Sequence, residues 1–265
     1  MDTDRKAVGT VAGLKDRLLR LRYAPEWFLR DRFCSLPPAM EEVRVLTPLS
    51  RPQNLPVIQP FLSNVKWTGI VRESQLEPGV SKLKVPKNCA LHPVVLKEPY
   101  GEGMDPCYQK VVDYFRHIRS DNTEEWVMIL CDDCLPDPVF LRDLRMGRFR
   151  DTAVVVISAR RGQRTPLGAR HHHSDLVAHP DNMRPGRIDI GQLVMRRWLW
   201  RTALSFNLLN PYVYESDGVM AGWIKRHFWR SSSLRYAPEY AMLFNYLEPG
   251  RWKHTVVSSD GEKHD

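Results

Sequence analysis

The stretch WVMILCDDCLPDP, residues 126–138, runs an apolar segment straight into two adjacent aspartates with a cysteine on either side. Asp132 and Asp133 offer the hard oxygen ligands that Mg2+ or Mn2+ requires. Cys131 and Cys134 form a CxxC spacing, which also suits zinc or a redox couple. Structural zinc needs a second ligand pair, and the chain has no second CxxC. A thioredoxin-like pair would open a helix, but Pro136 and Pro138 stiffen the turn that follows. A polar loop closing a strand is the third reading.

Other groups have chemical potential. Glu215-Ser216-Asp217 precedes the apolar run GVMAGWI, as a helix cap or as a carboxylate presented at a helix start. Asp189 lies within IDIG, before a second apolar run. His171, His172 and His173 are consecutive, and neighbours on a strand point to opposite faces, so the three cannot converge on one ion. Within the Pro-, Gly- and His-rich segment 163–187, one of them could complete a cation shell or touch a phosphate in a loop that closes over a substrate. From Arg142 to Arg201 there are 13 arginines, no lysine and five acidic residues. The planar guanidinium fork suits phosphate better than an ammonium does. Arg160, Arg161, Arg164 and Arg170, with His171, are the candidate phosphate or acceptor contacts. The net charge of +8 and pI of 9.3 agree with an anionic partner.

These residues need a frame. Apolar residues make up 43% of the 265, with eight tryptophans, well above disordered composition. Five cysteines behind a charged N-terminus do not suggest a disulfide framework, and Cys34, Cys89 and Cys107 read as small core residues. No apolar run approaches the roughly 18 residues of a membrane span, and the N-terminus lacks the apolar core of a signal peptide. A cytoplasmic protein is expected.

Residues 1–40 read as a helical extension and linker, with Leu14, Leu18, Leu19 and Leu21 near one face. Packing on the body of the protein or peripheral contact with a membrane surface would suit it. The body spans 41–250, and 251–265 reads as a flexible tail. Strand candidates from Val43, in KWTGIVRES, EEWVMIL, DTAVVVISARR and RIDIGQLVM alternate with helical patterns, as in an α/β sheet with ligands at the carboxyl ends of its strands. LRYAPEW at 21–27 and LRYAPEY at 234–240 echo one another, too far apart for a repeat array.

The order of VRVLTPLSRPQNL, WVMILCDDCLPDP, PGRIDIGQLVMRRWLW and YESDGVMAGWI resembles that of GT-A nucleotide-sugar glycosyltransferases, in particular the family-2-like inverting enzymes. The resemblance spans roughly residues 43–230 and implies a GT-A-like, Rossmann-like mixed sheet flanked by helices. By the same resemblance, Thr47, Pro48, Ser50 and Arg51 contact the nucleotide of a nucleotide-diphosphate sugar. The family's Asp-x-Asp signature falls on Cys131 and Asp133, so its first aspartate is a cysteine here. Asp133 is then the ligand for Mn2+ or Mg2+, Asp132 a ribose or metal-water contact, and Asp189 a contact for sugar or acceptor hydroxyls. Asp217, or Glu215 in second place, is the base that takes the acceptor proton.

For the acceptor, the resemblance leaves open a lipid-linked or polysaccharide hydroxyl and a hydroxymethylated base of DNA. The arginines tilt the expectation towards DNA. A nucleic-acid-binding protein on a degenerate α/β domain is the non-enzymatic alternative. A nucleotidyltransferase is a further one, although LTPLSRPQN lacks the glycine-rich phosphate cradle usual near such an enzyme's first strand.

Overall fold

Near-continuous apolar runs such as VRVL and WVMI are what strands covered on both faces require. The computed structural model describes residues 40–51, 54–73, 86–94, 106–118, 122–161, 176–213 and 215–244. The expected extension (all but Met40), the expected tail, Arg164, Arg170 and His171–His173 lie outside them. The strands are β1 (Val43–Pro48), β2 (Lys66–Arg72), β3 (Cys89–Val94), β4 (Trp126–Ile129), β5 (Val154–Arg161), β6 (Leu193–Arg196) and β7 (Leu234–Phe244). They form one sheet in the order β3-β2-β1-β4-β6-β5-β7.

Only β6 is reversed. It pairs antiparallel with both β4 and β5, while the remaining pairings are parallel. The helices are α1 (Leu55–Ile58), α2 (Pro106–His117), α3 (Pro138–Arg145), α4 (Arg197–Ser205) and α5 (Ser216–Phe228). The mixed, GT-A-like sheet flanked by helices is therefore the class observed. Among the described residues, no helix is long and apolar enough to cross a membrane.

Packing follows residue type. All four residues of β4 are buried, and β1 buries five of its six. Gly69 of β2 lies so near Leu49 that a Cβ would come within 2.7 Å of its Cδ1. The indole of Trp200 on α4 donates to Val127 O at 3.0 Å, which ties that helix to β4. In α3, Pro138 fills the first turn and Asp137 caps it, accepting from Val139 N and Phe140 N. The other oxygen of Asp137 accepts from Ala241 N at 3.0 Å and joins α3 to β7.

β7 contains the echo LRYAPEY. Its register against β5 breaks between Ile157 and Ser158, whose partners are Ala237 and Ala241. Pro238, which has no N–H to give a ladder, falls in that irregularity. Tyr240 reaches Asp143 at 2.7 Å from the same place, and its ring packs on Phe140 and Phe149.

Candidate functional site

Pairing of β1 with β4 sets Leu46 opposite Ile129, and Leu130 N donates to Leu46 O at 2.9 Å. The segments leaving the two strands, 49–51 and 131–133, are therefore neighbours. One oxygen of Asp132 accepts from Ser50 N at 2.5 Å and also from Arg51 N. Asn54 Nδ2 donates to the Asp132 carbonyl at 2.8 Å. Burial pushes the Asp132 carboxyl up, against the pull of those two backbone donors. The guanidinium of Arg51 reaches Asp133 Oδ2 at 2.7 Å and Asp132 Oδ1 at 3.4 Å. The Cys134 thiol donates to Asp133 Oδ1 at 3.3 Å.

Of the other residues read as nucleotide contacts, Thr47 is fully buried and its hydroxyl accepts from Trp67 Nε1 at 2.9 Å. Pro48 ends β1, and Ser50 is exposed.

The reversal of β6 brings a third carboxylate to this end of the sheet. Trp126 pairs with Arg196 and Met128 with Val194, so the segment before β6 arrives where β4 leaves off. That segment is a capping box: Asp189 Oδ1 accepts from Gly191 N at 2.8 Å, and Gln192 Oε1 accepts from Asp189 N at 2.9 Å. Gln192 also donates to Ile157 O and Leu176 O, which holds the box rigid. Burial, then Cys131 and Asp217, push the Asp189 carboxyl well above the carboxylate range.

Asp217 lies in the first turn of α5 and is 6% exposed. The N-cap position is Glu215, with φ 55° and no side-chain cap bond. Asp217 is thus not the cap that its sequence context allows. Its carboxylate accepts from Gly218 N at 2.8 Å and from the Tyr108 hydroxyl. Burial raises its pKa to about 6, while those two bonds oppose the rise. The Tyr108 phenol is itself pushed up by burial and by Asp217 and Asp189. Asp133, Asp189 and Asp217, three of the carboxylates singled out by sequence, thus share one electrostatic neighbourhood with Cys131.

Four participants escaped the sequence reading. Tyr108 and Lys110 come from the start of α2. Lys110, 1% exposed, donates to Leu49 O beside Arg51, and burial lowers its pKa. Their only sequence signal is a polar residue inside an amphipathic helix, which is commonplace. Arg184 and Arg187 are exposed and flank Pro185-Gly186. A Cβ on Gly218 would meet Pro185 Cα at 2.3 Å, and one on Gly186 would lie 3.5 Å from the Glu215 carboxylate. The Arg184–Arg187 loop therefore rests on the start of α5, next to Asp217.

The arginine run divides by role. Arg196 and Arg197 are buried and bound to Glu41 and Glu125, and Arg148 pairs with Asp143. Arg160 is exposed on β5 and Arg161 is that strand's last residue.

The hard carboxylate oxygens of Asp133 fit Mg2+ or Mn2+ by type. Among the described residues no three His, Cys, Asp or Glu side chains form a ready cage.

No protein-family model matches the chain, and no curated protein matches it in sequence. Solved structures similar to it include the apo-form glycosyltransferase GlyE of Streptococcus pneumoniae TIGR4, at 11% identity and TM-score 0.38 over 75% of this chain and 45% of that one. This chain thus spans less than half of that protein's length. The 2-C-methyl-D-erythritol 4-phosphate cytidylyltransferase of Francisella tularensis is similar at 10% identity and TM-score 0.41, over 77% of this chain and 92% of that one. The 4-diphosphocytidyl-2C-methyl-D-erythritol synthase of Anaerococcus prevotii DSM 20548 is similar at 8% identity and TM-score 0.43, over 78% and 92%. At these identities, and with TM-scores below 0.5, these likenesses say nothing of what this chain does.

Proposed function

We propose that the protein is a glycosyltransferase that moves a sugar from a nucleotide diphosphate to an acceptor hydroxyl. The observation that carries this reading is Asp217: a buried carboxylate at a helix start, released from capping and bonded by Tyr108, which acts with Asp133 on the same Asp189 carboxyl. A pKa near 6 leaves it mostly ionised at neutral pH while still basic enough to accept a proton. In the proposed step Asp217 takes the acceptor proton as the acceptor oxygen attacks the anomeric carbon. The bond from that carbon to the phosphate oxygen breaks, and nucleoside diphosphate leaves with inversion. Arg51 and the backbone around Ser50 face the donor's nucleotide and phosphates, and Asp189 orients hydroxyls. Mn2+ or Mg2+, held by Asp133 and the donor's phosphates, would neutralise charge on the leaving group.

The acceptor we propose is anionic, because Arg184 and Arg187 are displayed beside the base and Arg160 is exposed on β5. DNA carrying a hydroxymethylated base is the first acceptor to test, and lipid-linked and polysaccharide hydroxyls are the comparison set. The test incubates the protein with nucleotide-sugar donors, Mn2+ and each acceptor and follows the released nucleotide. Nucleoside diphosphate release that requires Asp217 supports the reading. Pyrophosphate release from a nucleoside triphosphate would establish a nucleotidyltransferase instead. DNA binding with no nucleotide bound would leave the non-enzymatic reading.

A further inference from the structure

Three thiols converge where the donor site begins. Cys131 stands at the first signature position, Cys134 three residues on, and Cys107 in the first turn of α2. The Sγ atoms of Cys107 and Cys131 are 3.8 Å apart, and both residues are half-buried, within reach of small solutes. A disulfide has an S–S separation of about 2.05 Å, so the two sulfurs start in contact and must draw closer to bond.

The remaining described thiols are otherwise disposed. Cys134 is 2% exposed, and its thiol bonds both Asp133 and Cys131, so it is the competing partner; Cys89 is buried in the core. Cys131 directly precedes Asp132, which holds the backbone of Ser50 and Arg51. A bond there would tie the start of α2, with Tyr108 and Lys110, to the one turn that organises both the Arg51 segment and Asp133.

We infer that Cys107 and Cys131 are an oxidisable pair, converted by hydroperoxides to a disulfide that shuts the donor end of the site. One thiolate attacks the peroxide, the O–O bond breaks, and an alcohol or water leaves with a sulfenic acid formed on that cysteine. The second sulfur then displaces hydroxide, which takes up that cysteine's proton and leaves as water. In sum, two thiols and one hydroperoxide give one disulfide, one alcohol and one water. The cross-link needs only the two cysteines; its effect on the donor rests on the transferase reading.

The experiment treats the full-length protein with hydrogen peroxide, maps disulfides by mass spectrometry without reduction, and measures sugar transfer before and after dithiothreitol. The expected result is one intramolecular bond between Cys107 and Cys131, at least tenfold loss of transfer, and recovery on reduction. The bond and the sensitivity should disappear in Cys107→Ser and persist in Cys134→Ser. A bond between Cys131 and Cys134, disulfide-linked dimers, or no bond at all would overturn the pairing. A Cys107–Cys131 bond with transfer unchanged would overturn the closure. If the reduced protein transfers no sugar, the transferase reading fails and the mapped bond alone decides the pairing.

Discussion

Arg51 places its guanidinium 2.7 Å from the Asp133 carboxylate, while its own backbone N–H is held by Asp132 next door. The residue is therefore fixed at both ends by the two adjacent aspartates, which holds its charge at the proposed donor site.

Replacing Arg51 with alanine should weaken nucleoside-diphosphate binding about tenfold or more, the scale of one lost charge-assisted hydrogen bond. Arg51→Lys should recover only part, because an ammonium cannot present the planar fork. Isothermal titration with the preferred diphosphate decides; equal affinity in all three proteins would remove Arg51 from the donor site.

Asp132→Ala should act on stability first. It leaves two backbone donors without their acceptor, at a cost of roughly 1–3 kcal/mol for each group kept from water. Urea unfolding should show the lowered midpoint, and Asp132→Asn should lose less because one oxygen acceptor remains.

Asp217→Asn should lower kcat by about 100- to 10,000-fold with little change in donor KM. In the wild type, kcat should rise with pH through about 6 and level off above it, since the base must be ionised. Stability should run the other way. A carboxyl whose folded pKa is raised stabilises the fold below its unfolded pKa, and that contribution is lost as pH climbs from 3.8 to about 6. The shift corresponds to roughly 3 kcal/mol at most. Asp217→Asn should therefore melt higher than wild type at neutral pH, and an unchanged or lower melting temperature would contradict the strained carboxylate.

Tyr108→Phe removes a donor that favours the ionised form of Asp217. The acid limb of the pH–rate profile should move to higher pH, with donor KM preserved. A merely structural tyrosine would lower activity without moving that limb.

Gly218→Ala drives a methyl into the Pro185 backbone, 2.3 Å away. A destabilisation of about 1–3 kcal/mol is expected from overpacking. Calorimetry measures it, and a neutral variant would mean that the Arg184–Arg187 loop does not rest on α5.

Much of the frame was legible along the chain. The apolar runs at Val43, Trp126 and Val154 became β1, β4 and β5, because burial pattern is a local property; Pro138, read as stiffening a turn, instead opens α3 behind the Asp137 cap. β3, at the sheet edge and interrupted by Pro93, carries a weak period and was not read. β7 was missed as well: Pro238 argues against a strand until the bulge opposite Ile157 and Ser158 admits it.

By itself, the sequence determined which residues have the chemistry: a carboxylate pair after a strand, an acidic residue before a late helix, and a hard-oxygen donor set. Only the tertiary structure decided which of them meet. The reversal of β6 returns Asp189 to the end of β4, and α2 supplies Tyr108 and Cys107 from some 25 residues upstream. The same fold turns Arg196 and Arg197 inward onto Glu41 and Glu125 while leaving Arg184 and Arg187 in solvent. Residue type and spacing report what a side chain is able to do; which groups it faces depends on strand order and helix placement, and those are set by contacts between segments distant in the chain.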